Sequence, residues 1–328
     1  MLDGGAVVAV QKNWSTLMGI ERAQGGIVGI VHPYPAEEWD MIDGAKTMGI
    51  EHERSGIRQL WARMRWLARY RYFLWMFIYR RIRMHYAGAA LGALWSVLTP
   101  LLMTVVFSVV WLLVFPSHQI ANYPAFLLAG LVPWNYFSGA LSAATASIIS
   151  ERDLVQKVPL PREMLPVGVV VSLIPSLLSG LLVYFLLALA LGMHITGWVL
   201  FIPLIILLEV LFTIGLSFFL ATANVFYRDV QEVLQVILQA WFFLTPIWYP
   251  LDTLPRQFTL LGLQIDIWRW AQILNPMASL VAAYRDLLYW GRLTDLAFLL
   301  RTGVTISIVL VAGYLFFLHY SDRFAEEL

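Results

Sequence analysis

The sequence contains no cysteine and few charged residues. The lack of cysteine excludes disulfide bonds, thiolate catalysis and Cys-ligated metals, and it leaves the redox compartment undetermined. Charged residues make up 13% of the 328 residues, whereas 60% are hydrophobic. Soluble domains have about 25% charged residues, so this chain has too few polar side chains to cover a soluble protein of its length. The composition therefore predicts an integral membrane protein.

The sequence also lacks the residue groups that catalysis and nucleotide binding require. Gly44, Lys46 and Thr47 superficially resemble part of a phosphate loop, but the glycine is not adjacent to the lysine and the upstream glycine is missing. None of the histidines pairs at metal-ligand spacing; they are His32, His52, His85, His118, His194 and His319. We therefore expect no enzyme and no cofactor or metal in this chain. The net charge of +1 does not indicate nucleic acid, and no such partner is expected.

The N-terminal part divides into two segments. Residues 1–55 are mixed, glycine-containing and weakly periodic, which predicts a poorly ordered extension. Residues 56–86 are basic and aromatic, with an apolar stripe at helical spacing. This pattern predicts an amphipathic helix at the cytoplasmic membrane interface. The alternative is a first transmembrane helix, which the arginines disfavour because each costs about 2.5–3.5 kcal/mol at mid-bilayer.

Residues 87–328 predict a membrane domain with six spans, each long enough to cross a bilayer. The spans run over about 94–115, 124–149, 167–191, 198–222, 233–250 and 299–319. Arg152, Lys157 and Arg162 lie in the segment 150–166, whereas the loops after the first and third spans have no Lys or Arg. Because positive charges favour the cytoplasmic side, we expect both termini and residues 150–166 in the cytoplasm.

Residues 250–298 would then lie on the outer side of the membrane, although several arginines in this segment do not follow the preference of positive charges for the cytoplasmic side. Two apolar stretches are broken at Asn275 and Pro276, and each is too short to span. This pattern predicts re-entrant helices between spans five and six, buried in protein or lining a cavity. An amphipathic pair on the outer leaflet is the alternative.

One acid and a set of aromatic side chains lie within the predicted spans. Glu209 is a functional candidate because ionisable groups are costly there; the alternative is a packing role, with a hydrogen bond to a neighbouring helix or a position in a wet cavity. Most of the aromatic residues should form interfacial belts or pack against lipid. A minority would face a pore, where flat rings suit sugar faces. The channel candidates are Trp95, Trp134, Tyr136, Phe137, Trp241, Phe242 and Phe243.

The segment 150–166 places charges and prolines between two apolar runs. Pro159 and Pro161 would end a helix there and turn the chain back toward the membrane. A short helix around 150–157 would then present charged side chains to a cytoplasmic partner. A solvated loop is the simpler alternative.

Several motifs in order resemble one family. They are Tyr86-x-x-x-x-Leu91-Gly92-x-x-Trp95, Gly130-Leu131-Val132-Pro133-Trp134-Asn135, Leu154-Val155-x-Lys157-Val158-x-x-Pro161-Arg162-Glu163-x-Leu165-Pro166, Tyr227-Arg228-Asp229, Pro246-Ile247-Trp248-Tyr249 and Tyr284-Arg285-Asp286. Over residues 70–322, the chain resembles permease subunits of type 2 ABC exporters for lipid-linked polysaccharide such as O-antigen, capsule or teichoic acid. Leu160 departs from the usual aromatic residue, and residues 1–55 have no counterpart.

The resemblance implies a homodimer in the bacterial cytoplasmic (inner) membrane, surrounded by lipid and flanked by two cytosolic ATPase subunits. ATP and Mg²⁺ would be bound by those partners, and the substrate would be a polyprenyl-pyrophosphate-linked glycan. The ATPase-coupling residues would be Glu151, Arg152, Asp153, Lys157, Arg162 and Glu163. The outer gate would include Asn275, Pro276, Tyr284 and Arg285. The alternatives are an exporter of a drug or lipid, a membrane glycosyltransferase or polymerase, and a proton-coupled carrier.

Overall fold

A computed structural model of the chain describes residues 20–22, 28–30, 70–86, 95–114, 120–157, 160–250, 258–260, 263–265 and 275–328. The chain divides into two units, Met1–Arg63 and Met64–Leu328. In the first unit, β1 (Ile20–Arg22) and β2 (Val28–Ile30) pair antiparallel. The rest of the predicted extension 1–55, including Gly44 to Thr47, lies outside the described residues, as do residues 56–69 of the predicted interface helix.

The described part of the second unit is almost entirely helical. Its helices are α1 (Arg71–Tyr86), α2 (Trp95–Val114), α3 (Tyr123–Thr145), α4 (Ser147–Ser150), α5 (Arg152–Lys157), α6 (Met164–Ser172), α7 (Ile174–Ala190), a 3₁₀ turn (Gly197–Phe201), α8 (Ile202–Phe226), α9 (Val230–Leu244), α10 (Pro276–Leu288), α11 (Leu296–Ser321) and α12 (Phe324–Glu327). The strands β3 (Phe258–Leu260) and β4 (Leu263–Ile265) pair antiparallel. The prediction of a helical membrane protein is confirmed, whereas the short strand pairs were not predicted.

Four stretches are long and apolar enough to cross a membrane: Val97–Val114, Met164–Ala190, Gly197–Phe226 and Leu296–Ser321. They correspond to the first, third, fourth and sixth predicted spans. The third is divided at Leu173 into α6 and α7, because Pro175 lies in the first turn of α7 and cannot continue a helix. The fifth predicted span is the shorter apolar helix Val230–Leu244.

The second predicted span is α3, which is the central helix of the unit. It contacts α2, α6, α7, α8, α9 and α10. All residues from 125 to 134 are buried. Protein rather than lipid therefore surrounds this part of the helix, whereas Asn135, which follows it, is exposed.

Two of the close helix contacts in the unit occur at glycines. The helix α1 packs on α6 with the Phe77 ring over Gly168, where a Cβ would come within 2.6 Å of the ring. The helices α8 and α11 touch at Gly215 and Gly313, and a Cβ on Gly215 would lie 2.8 Å from the backbone of Leu310. Small residues of this kind allow helices to approach closely in membranes.

Candidate functional site

The predicted coupling segment begins at Glu151, which joins α4 to α5. Its carboxylate accepts a hydrogen bond from Arg80 Nη2 at 2.5 Å, and Arg81 Nη1 lies 3.7 Å away. Both arginines are on α1, and the Glu151 side chain is 14% exposed. Charged pairs shielded from water are stronger than surface pairs. Glu151 therefore connects the predicted interface helix to the coupling segment, a contact that sequence reasoning missed.

The helix α5 has one buried face and one charged face. Val155 is buried and packs into the core, whereas Arg152, Asp153 and Lys157 are exposed. Lys157 Nζ donates to Asp153 Oδ1 at 2.7 Å, and this hydrogen bond lowers the pKa of Asp153. The exposed face thus presents fixed charges, while the buried face anchors the helix to the membrane domain.

The second half of the coupling segment returns to the core. Val158 and Pro159 lie outside the described residues. Leu160 is buried, as is Glu163, and Arg162 Nη1 donates to the carbonyl of Ser321 at the end of α11. Arg162 therefore binds the end of α11 although it belongs to the coupling segment. The exposed face of α5 is the better candidate for a partner contact, because its charged side chains are accessible.

Some of the candidate channel aromatics form one cluster at the junction of α3, α8 and α9. The Phe137 ring stacks on Phe212 with centroids 5.6 Å apart and lies edge-on to Trp241 at 5.2 Å. Trp134 contacts Trp241 at 6.3 Å and Phe242 at 5.7 Å. Ring pairs in these arrangements contribute about 0.5–1.5 kcal/mol beyond area burial. This aromatic cluster, defined by Trp134, Phe137, Phe212, Trp241 and Phe242, includes Phe212, which was not among the candidates.

The other channel candidates lie elsewhere. Tyr136 is buried and donates its hydroxyl to the carbonyl of Val170 on α6 at 3.2 Å. Phe243 is 55% exposed beside Phe242, and Trp95 is 49% exposed at the start of α2. The structure therefore separates buried rings that pack helices from exposed rings that are accessible to a ligand.

The predicted outer gate begins at the N-terminus of α10. Asn275 is the N-cap, with its side-chain oxygen accepting from Ala278 N at 3.2 Å, and Pro276 occupies the first turn. The same oxygen accepts from Trp241 Nε1 at 2.8 Å, and Asn275 Nδ2 donates to Thr245 Oγ1 at 3.0 Å. Asn275 thus caps α10 and connects it to α9 and the aromatic cluster.

Glu209 and Tyr284 form one buried pair, although the sequence placed them in separate groups. The Tyr284 hydroxyl donates to Glu209 Oε2 at 2.7 Å, and both side chains have 0% exposure. The other carboxyl oxygen, Oε1, is buried without a hydrogen-bond partner among the described residues. Glu209 therefore joins α8 to α10 and leaves one polar atom unsatisfied, which is costly inside a protein.

Arg285, the neighbour of Tyr284, holds the chain that follows α9. Its guanidinium donates to the carbonyls of Pro246, Ile247, Tyr249 and Phe126, and lies 3.8 Å from the Phe126 ring centroid. The helix α9 ends at Leu244, and residues 245–249 form turns and bends, so the carbonyls there lie outside a helical ladder. A buried arginine with five N–H donors can satisfy several such carbonyls at once. Pro246, which has no N–H to donate, is the sequence signal for the break after α9.

The residues described above are linked to one another around α10. Among the residues that the structure describes, no three His, Asp or Glu side chains are placed to hold a metal ion. Asn275, Glu209 and Arg285 each connect two or more helices around α10. The outer-gate candidates, the buried acid and the aromatic cluster are therefore one connected network.

Comparison with known proteins gives matches over most of the chain. Residues 72–289 match the family model described as ABC-2 type transporter. The chain is 32% identical over 265 residues to the O-antigen export system permease protein RfbA of Myxococcus xanthus, covering 81% of this chain and 98% of the relative. A protein of the same name from Klebsiella pneumoniae is 32% identical over 257 residues, covering 75% and 91%. The polysialic acid transport protein KpsM of Escherichia coli is 25% identical over 231 residues, covering 66% and 81%.

Proposed function

Because this chain belongs to the ABC-2 type transporter family, we propose that it is the transmembrane permease of an ATP-driven exporter that moves lipid-linked polysaccharide across the bacterial cytoplasmic membrane. One observation carries the proposal: 32% identity over 98% of an O-antigen export permease. The similarity to a polysialic acid transport protein supports a glycan as cargo rather than a drug. The cargo is a polyprenyl-pyrophosphate-linked, O-antigen-like glycan.

In this proposal the permease has six spans, formed by α2, α3, α6 with α7, α8, α9 and α11. Both termini are cytoplasmic, α1 lies at the cytoplasmic interface, and α10 belongs to a re-entrant outer segment. The apolar lengths of four of these spans support the arrangement, as does the continuous burial of residues 125–134 in α3. The exposed apolar side chains on α2 and α9, including Val105, Leu113 and Val236, offer surfaces for lipid and for a second copy in a homodimer.

Two cytosolic ATPase subunits, which bind ATP and Mg²⁺, supply the energy. The charged face of α5 is the contact, because it is exposed while the opposite face is fixed in the core. Movement of α5 would pull α1 through the Glu151 ion pairs and pull α11 through the Arg162 hydrogen bond. A closing ATPase pair would thereby shift packed helices as rigid bodies.

At the other side of the membrane domain, α10 is the moving part of the gate. It is held by Asn275, Tyr284 and Arg285 to three different helices or loops. The exposed rings Trp95 and Phe243 are the contacts for sugar faces, whereas the aromatic cluster fixes the helices around them. Sugar rings pack on aromatic faces through their apolar C–H surfaces, which suits a sliding contact.

Deletion of the permease gene from its host tests this function. Loss of surface glycan, with lipid-linked glycan accumulating inside the cell, is the expected result, and a plasmid copy of the wild type should restore display. A matched strain with an inactive partner ATPase should show the same defect. Unchanged surface glycan in the deletion strain would contradict the proposal.

A further inference from the structure

Polar side chains form a stripe along α3, in the half of the helix that follows the buried residues 125–134. Asn135 and Gly139 are exposed, and Ser138 and Ser142 are half-buried. Residues three, four and seven positions apart lie on one face of a helix. A Cβ added to Gly139 would meet no atom within 4 Å. This face of α3 is therefore open in the part of the chain that the structure describes.

The helix α9 has a matching stripe of glutamines. Gln231, Gln235 and Gln239 are spaced four residues apart, so they share one face of the helix. Gln231 Nε2 donates to the carbonyl of Ser142 at 3.3 Å, and Gln235 Nε2 donates to Ser142 Oγ at 3.1 Å. These hydrogen bonds join the two stripes into one surface. We call this surface the polar wall; it consists of Asn135, Ser138, Ser142, Gln231, Gln235 and Gln239.

The polar wall ends at the aromatic cluster. Trp134 of α3 and Phe242 of α9 adjoin the wall, and their rings lie 5.7 Å apart. Phe242 also contacts Phe107 of α2, with ring centroids 5.9 Å apart. From Ser142 to Asn135 the wall measures ~10 Å along the axis of α3. A polar surface therefore leads up to the point where rings from α2, α3 and α9 meet.

The opposite edge of α9 is aliphatic. Val233, Val236 and Ile237 are exposed on that edge, and the buried Leu234 and Leu238 separate it from the glutamines. Hydrocarbon suits the aliphatic edge. Polar side chains within a membrane face the interior of a helix bundle or a water-filled cavity, because polar groups without partners are costly in lipid. The two edges of α9 therefore have different surroundings.

We propose that the polar wall lines the path of the glycan and exchanges hydrogen bonds with the hydroxyl groups of uncharged sugars. The inference rests on the export function proposed above. Carboxamides and hydroxyls both donate and accept hydrogen bonds, as sugar hydroxyls do, so the wall accepts a hydroxyl in either role. The wall contains no charged side chain, and the net gain from each neutral hydrogen bond made in place of one to water is small. A sugar chain is thus guided along the wall without being held tightly.

The same groups disfavour two other occupants. A lipid tail would leave the amides of the wall without hydrogen-bond partners, which is costly. A second copy of the chain would bury the exposed amides of Asn135, Gln235 and Gln239, and each would then need a polar partner in that copy. The aliphatic edge of α9 is the better surface for contact with another membrane helix. Sugars supply hydroxyl partners at every residue of the cargo.

Cysteine accessibility in the complete complex of permease and ATPase tests the wall, because the natural chain has no cysteine. In inverted membrane vesicles, Asn135→Cys and Gln239→Cys should react with a charged, membrane-impermeant thiol reagent added from the cytoplasmic side. Leu182→Cys, at an exposed aliphatic position on α7, should not react. Vesicles with an inactive ATPase are then prepared from a strain that makes the lipid-linked glycan and from one that does not. Reaction at both wall positions should be lost only where the glycan is present.

A second set of variants tests the hydrogen bonds to the cargo. Asn135→Leu replaces an amide by an aliphatic group of similar size, and surface glycan should fall about two- to tenfold, as expected for one lost hydrogen bond. Asn135→Gln should retain most of the display, because it keeps the amide. The matched control is Ser307→Leu, which removes an exposed polar group on α11, away from the wall. Its display should equal that of the wild type.

Several outcomes would overturn the proposal. Cysteines at positions 135 and 239 that do not react would show that lipid or protein covers the wall. Reaction that is unchanged by glycan, or wild-type display in Asn135→Leu, would exclude the contact with the cargo. Loss of the native oligomer in Asn135→Leu would make the wall an interface between copies. Normal surface glycan in the deletion strain would instead refute the export function, so the two failures are distinguishable.

Discussion

Arg285 gives the sharpest test of how the outer segment is held. We expect Arg285→Met to destabilise the protein strongly, because the guanidinium is the donor to carbonyls of Pro246, Ile247 and Phe126. Methionine keeps the apolar stem and removes every donor. The buried carbonyls after α9 would then lose their partners and could regain them only by rearrangement.

The size of the effect follows from these bonds. Hydrogen bonds to a charged group contribute about 1.5–3 kcal/mol each, and losses within one site are not additive. Removing one side of a buried charged arrangement costs about 3–5 kcal/mol, and we take this range for Arg285→Met. With a shift of about 2 °C per kcal/mol for a chain of this size, the unfolding midpoint should fall by roughly 6–10 °C.

Thermal unfolding of detergent-purified protein measures this shift, and Arg292→Met provides the control. Arg292 pairs with Asp286 at 2.7 Å, but its side chain is 68% exposed, so its loss should cost no more than about 1 kcal/mol. Arg285→Lys should recover only part of the stability, because one ammonium cannot reach carbonyls on both sides as the guanidinium fork does. A midpoint for Arg285→Met within about 2 °C of the Arg292→Met value would refute this reasoning.

Three further predictions concern coupling and gating. Because the natural chain has no cysteine, a lone cysteine introduced as Asp153→Cys should crosslink to the partner ATPase, whereas Arg292→Cys should not; crosslinking by both or neither would contradict the proposed contact. A double-mutant cycle of Glu151→Gln with Arg80→Gln, measured as the free energy of unfolding, should give a coupling energy of about 1 kcal/mol, because the ion pair is partly exposed. Additive losses in the two single variants would contradict a direct contact between α1 and the coupling segment. Tyr284→Phe should leave the protein folded but lower glycan display, since it removes the donor to the Glu209 carboxyl oxygen; wild-type display would show that this bond has no role in gating.

Sequence periodicity and length predicted the apolar helices well, because a helix that crosses a bilayer must be predominantly apolar over about 20 consecutive residues. The boundaries of α2 and α11 lie within a few residues of the predicted spans. The pattern failed to predict the division between α6 and α7, since apolar residues continue across it and only Pro175 marks the break. The β3 and β4 strands were missed because a three-residue pair has too few positions to show alternation.

The sites were harder to predict, because their residues meet only through tertiary packing. Glu209 and Tyr284 are 75 residues apart in sequence, and nothing local in either segment indicates the other. The charges of residues 150–166 were recognisable, yet their division into an exposed face and a core-anchoring face depends on the rotation of α5 against the domain. The contact of Glu151 with Arg80 likewise required knowledge of where α1 packs.

Glycan export can be measured in proteoliposomes that contain the purified permease, its partner ATPase and lipid-linked glycan in the leaflet equivalent to the cytoplasmic side. The measurement is the fraction of glycan that becomes accessible at the opposite face. We expect a transfer that requires both hydrolysable ATP and the permease. Glycan transfer that proceeds equally without ATP, or no transfer by an intact complex that hydrolyses ATP, would contradict it.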